Sequence, residues 1–166
     1  MKKPFKALTI TVLGFSVLVF VGGANATGET HNPVLSLENA QVIANEAQRK
    51  CSADGYAVTV AVVDRHGNLL VQLRNPQAGP HTVGSSFGKA FTSASMGQPT
   101  ERLADAIAGN PKLAGMRDMD PRLVILAGGL PISIDGYRVG GVGVGGTPDG
   151  HIDAVCAEAG IKALSK

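Results

Sequence analysis

The chain has 166 residues, 15 Lys and Arg against 13 Asp and Glu, 44% hydrophobic residues, two cysteines and no tryptophan. That length is one domain's worth, and the near-balanced charge leaves no basic stripe to attract nucleic acid. With two cysteines, neither a disulfide-dense scaffold nor a zinc site of several thiolates can be built.

The first segment reads as an export signal. Lys2, Lys3 and Lys6 form a positive start, Ala7 to Val21 is an apolar run, and Ala24-Asn25-Ala26 is an A-x-A cleavage pattern that predicts Thr27 as the first mature residue. A membrane anchor is the rival reading, but a spanning helix needs about 20 apolar residues and this run stops at Gly22-Gly23. The segments expected are thus a signal peptide at 1–26, a flexible lead at 27–35 and a single domain at 36–166. Cleavage removes three of the 15 basic residues, so twelve face 13 acidic ones and the net charge becomes −1. The 140 residues left contain no second long apolar run, so the mature chain is expected to be soluble, without nucleic acid or membrane as a partner.

Ser36 is a helix N-cap, and Ala40, Ile43, Ala44, Ala47 and Cys51 recur at helical spacing, which predicts a helix over 37–52. Ala57–Val63 and Leu69–Arg74, joined by Asp64-Arg65-His66-Gly67-Asn68, read as a β-hairpin. A loop follows, then a helix over 82–96 rich in small residues, and a shorter helix over 100–108. Leu123–Ala127 reads as a strand, Gly128-Gly129-Leu130-Pro131 as a turn, Ile132–Ile134 as a short strand and Tyr137–Val144 as the last strand. A closing helix is expected over 149–164. The order α-β-β-α-α-β-β-β-α implies an α+β fold: an antiparallel five-stranded sheet with helices packed on it. Cys51 and Cys156 both fall on apolar helix stripes, and two buried free thiols are the preferred reading over a bridge.

Gly141-Val142-Gly143-Val144-Gly145-Gly146 matches G-x-G-x-x-G, but the sequence has no room beyond it for the parallel strand and acidic residue a dinucleotide fold requires. Those glycines instead admit another backbone, a helix or a flat ligand beside the strand. There is no C-x-x-C-H for covalent haem, no H-E-x-x-H and no G-x-S-x-G. His31, in the lead, and His66, in the hairpin turn, read as solvated. His81 differs, because Gly79-Pro80 holds it where a rigid loop enters a helix, with Arg74 before it and Lys89 two turns on. Its two readings are a helix-entry histidine with no ligand and an iron ligand; among candidate ligands it ranks first, and His151, beside Asp149 and Asp153, second. Met96, Met116 and Met119 read as core filling rather than a pocket lining.

The ordered set of Val62-Val63-Asp64-Arg65-His66-Gly67-Asn68-Leu69, Lys89-Ala90-Phe91-Thr92-Ser93-Ala94, Gly128-Gly129-Leu130-Pro131 and Gly140 to Gly146, with Asp153 beyond, resembles the GlcG/HbpS-like haem-binding domain family over about 35–164. The resemblance implies a profilin-like fold, homo-oligomers and, for exported members, haem binding with sequestration or degradation. Cys156 departs from it, standing where the family has a small aliphatic residue. The reading that follows is a non-covalent, b-type haem-binding protein, active in the periplasm or outside the cell. Its site would be built from His81, Arg74, Lys89, Gly84, Gly88, Gly141 and Gly143, with His81 or His151 on the iron. The alternative is an enzyme or binder for a small organic acid or aldehyde, using Arg74, Lys89 and Arg102 for a carboxylate and Asp64 or Asp153 for protons. A scaffold with a vestigial pocket is a third.

Overall fold

A computed structural model describes residues 32–165. The expected signal peptide, the start of the expected lead and His31 lie outside the described residues. The chain runs α1 (Leu37–Ala53), β1 (Thr59–Asp64), β2 (Leu69–Arg74), α2 (His81–Met96), α3 (Thr100–Gly109), a 3-10 segment (Pro111–Asp118), β3 (Gly129–Ile134), β4 (Tyr137–Gly145) and α4 (Gly150–Lys162). The Ser36 hydroxyl accepts from the Asn39 backbone N–H and opens α1 as expected.

The sheet is antiparallel, with four strands in the order β2-β1-β4-β3, not the five expected. The missing strand is 123–127. Its polar groups go to side chains instead of a ladder: the Val124 N–H donates to the Thr92 hydroxyl, and the Leu126 carbonyl accepts from the Thr100 hydroxyl. Val124 is seated on Gly88, so the segment lies over α2 rather than beside the sheet. The expected turn at Gly128–Pro131 is likewise mostly strand. Pro131 is accommodated because β3 is an edge strand, where a missing N–H costs no ladder bond.

Strand alternation sorts the two faces. Val60, Val62, Val142 and Val144 point toward α1 and α4 in the main core with Ile43, Ala44 and Ala47. Ala61 and Val63 point the other way, against Ala90 and Ala94 of α2. On that second face β1 pairs Thr59, Ala61 and Val63 with Gly145, Gly143 and Gly141 of β4. A Cβ on Gly143 would lie 2.2 Å from the Ser86 carbonyl oxygen, and one on Gly141 2.3 Å from that of Ala90. The alternating glycines therefore admit helix α2, and the slot expected for a flat ligand at Gly141 and Gly143 is closed by the protein's own backbone.

The cysteines correct a second expectation. Cys51 of α1 and Cys156 of α4 form a disulfide, with Cα atoms 5.6 Å apart. The helices come together at Gly160, where a Cβ would lie 2.4 Å from the Ile43 carbonyl oxygen. Among the described residues no helix is long and apolar enough to cross a membrane.

Candidate functional site

The first turn of α2 is fixed from beneath. The Thr82 hydroxyl bonds to the Gly79 carbonyl and to the Thr59 hydroxyl of β1, both at 2.6 Å. That anchoring sets His81, Ser85 and Lys89, four residues apart, along one stripe of the helix. The stripe forms one wall of a cleft of about 470 Å³, within the usual range for small-molecule sites. Gly145 to Thr147 and the start of α4 form its far side, and Glu101, Ala104 and Asp105 of α3 face Leu126 and Ala127 around the rest.

The floor is an ion pair. Lys89, 5% exposed, donates to Asp153 Oδ2 at 2.8 Å and to the Val144 carbonyl at 2.9 Å. The other oxygen of Asp153, which is 2% exposed, accepts from the Thr147 hydroxyl and backbone N–H. Gly128 is glycine for this reason: its φ is +115°, and a Cβ there would lie 2.8 Å from the Lys89 ammonium. Burial of both charges is compensated only because each keeps several partners.

Both candidate histidines line this one cleft. His81 is exposed, its ring lying over Gly79. His151 starts α4, where Asp149 caps the helix by accepting the His151 backbone N–H at 2.9 Å. Its Nδ1 lies 2.9 Å from Glu101 Oε1, which fixes the ring and leaves Nε2 for a ligand, the arrangement that orients metal-bound imidazoles.

Other expected site residues fall elsewhere. The Arg74 guanidinium is bonded to the Ala78 carbonyl and does not line the cleft. Lys89 lies at the floor in an ion pair, not at the mouth. Gly88 is covered by Val124 and the Arg122 carbonyl, whereas Gly84 has open space where a Cβ would stand. The small-acid arrangement is not assembled: Arg102 does not line the cleft, Lys89 and Asp153 neutralise each other, and Asp64 closes its own hairpin turn at the opposite end of β1. Met96 and Met116 pack around Leu103, Ile107 and Ile125, and Met119 is exposed. Sequence reading missed Glu101, Asp105 and Leu126, which carry no local motif and reach the cleft only through packing of α3 and the 122–128 segment.

Chemically, the cleft offers two imidazoles, small apolar walls and a rim of carboxylates. Among the described residues no group of three or more His, Cys, Asp or Glu side chains is placed to hold a metal ion. A bare ion is therefore poorly served, whereas a metal that brings its own equatorial ligands needs only one or two imidazoles.

The fold and cleft define a small α+β domain with a histidine-bearing cleft. A family model described as haem degrading protein HbpS-like matches residues 35–162. A double mutant of HbpS from Streptomyces reticuli is 37% identical, with 96% of this chain and 98% of that one aligned and a TM-score of 0.76. Protein GlcG of Escherichia coli is 32% identical over 111 residues, covering 67% of this chain and 81% of its own. PduOC, solved as a complex with haem, is 27% identical over 79% of this chain and 95% of its own, with a TM-score of 0.73. This chain belongs to the HbpS-like family.

Proposed function

We propose that this protein is an exported, non-covalent haem-binding protein, using the cleft between α2, α3 and α4. The observation that carries the reading is the donor set, two imidazoles on one apolar-walled cleft with too few further ligands for a bare ion. The structure of a relative in complex with haem supports it.

In this reading His81 is the iron ligand, and His151, held by Glu101, is the second imidazole. Leu126, Ala104 and Ala127 give the porphyrin apolar contact, with Leu126 58% exposed at the edge of the cleft. Glu101, Asp105 and Asp149 would repel the propionate carboxylates of a bound haem. The absence of C-x-x-C-H supports a b-type haem. Bound haem would supply the redox and oxygen chemistry, and the protein's part is to hold it, orient it and limit water. The family description supports degradation as the outcome, with sequestration as its binding step. The same resemblance supports homo-oligomers. Export rests on the signal pattern and is supported by the Cys51–Cys156 bridge, since disulfides persist in oxidising compartments.

Titration of the purified protein with hemin tests the reading. The expected result is a saturable Soret shift at one hemin per chain; a spectrum identical to free hemin throughout would overturn it.

A further inference from the structure

The opposite end of the sheet carries a second cavity, of about 290 Å³, lined by Asn32, Pro33, Arg65, His66, Tyr137 and Arg138. We propose that it binds a small molecule through a phosphate group.

The register of β1 against β4 builds it. Asp64 pairs with Gly140, so the hairpin turn beyond β1 meets the first residues of β4. The nine residues from Tyr137 to Gly145 put this cavity roughly 25 Å from the cleft end of β4.

Two guanidiniums, an imidazole, a phenol and a carboxamide offer many donors to this space, and no carboxylate lines it. Four other arginines are engaged, Arg49 with Glu46, Arg122 with Asp120, and Arg74 and Arg117 with backbone carbonyls, whereas Arg102 stands exposed on α3 and lines neither cavity. Among the described residues the side chains of Arg65 and Arg138 have no carboxylate or carbonyl partner. The neighbouring carboxylate, Asp64, is turned into its own hairpin. It accepts from the backbone N–H of His66 at 2.8 Å, that of Asn68 at 2.9 Å and the Asn68 amide at 2.9 Å. Those bonds hold the backbone of the turn that presents Arg65 and His66, so a ligand has only their side chains left to order.

Arg138 is placed by a glycine. Gly97, at the C-terminus of α2 with φ +68°, has no side chain, and a Cβ there would lie 2.0 Å from Arg138 Nη1. Paired guanidiniums suit the forked oxygens of phosphate better than a single-point anion. Tyr137, half-exposed, adds an aromatic ring to the lining, which suits an organic group carried by that phosphate.

Isothermal titration at fixed ionic strength, with inorganic phosphate and separately with phenyl phosphate, tests the proposal. Saturable heat for either probe, absent for chloride, is expected, and tighter phenyl phosphate binding assigns an ester rather than free phosphate. Arg65→Gln and Arg138→Gln should each weaken binding at least about tenfold. Arg65 sits on an exposed turn, so its variant should keep the wild-type denaturation midpoint. No saturable heat from either probe, or unchanged binding in Arg65→Gln at that midpoint, would overturn the proposal.

Discussion

Lys89 and Asp153 show how one pair of side chains sets both the floor of the cleft and the joint between α2, β4 and α4. Their burial makes the pair asymmetric to mutation, since removing one partner leaves the other charge without compensation. Lys89→Met should therefore cost about 3–5 kcal/mol in urea denaturation, and adding Asp153→Leu should recover part of that loss. Equal losses in the single and double variants would show that the charge pairing is not what stabilises the joint. Burial disfavours the charged form of Asp64, but hydrogen bonds from the Asn68 side chain and from the Asn68 and His66 backbone, with the nearby His66 charge, hold it below the ordinary range. The Arg122 side chain and backbone hold Asp120 at about 2. Both carboxyls are depressed on folding, so their contribution is complete above about pH 4 and lost as pH falls toward 2. The melting temperature should drop through that window, less steeply in Asp64→Asn; an unchanged slope would contradict the assignment.

Among the elements, α2 is where the glycine pattern acquires its meaning. Gly143 is covered by the α2 backbone and Gly84 is open, although both belong to small-residue stripes in the sequence. Gly143→Ala should cost at least about 2 kcal/mol, because helix and strand must separate. Gly84→Ala should instead stabilise by about 0.5–1 kcal/mol through helix propensity. Chemical denaturation giving the same sign for both would contradict this packing. The amphipathic helices and the first hairpin were legible because their periods are local: Ala40, Ile43, Ala44, Ala47 and Cys51 announce α1 without help from the rest of the chain. Leu123–Ala127 misled because an apolar run states a preference for burial, not which partners take its backbone groups. Thr92 and Thr100 took them. The occupant of the glycine strand was equally undetermined, since helix and flat ligand ask for the same missing side chains.

On the scale of the whole molecule, the disulfide joins residues 105 apart and ties α1 to the helix that carries His151 and Asp153. Closing so long a loop restricts the unfolded chain, so Cys51→Ser with Cys156→Ser should lose about 2–5 kcal/mol. A mass spectrum of the purified protein should lie two hydrogens below that of the reduced one, and equal masses would contradict the bridge. Neither cysteine was legible as half of a pair, because α1 and α4 meet only through tertiary packing. The two histidines, 70 positions apart by their numbering, were legible as candidates from helix-entry chemistry, yet nothing local placed them on one cleft. Parallel hemin titrations of the wild type, His81→Ala and His151→Ala probe the cleft itself. His81→Ala should bind hemin at least about tenfold more weakly with an altered Soret band, and His151→Ala should show a smaller loss. Wild-type band and affinity in both variants would rule out the cleft as the haem site.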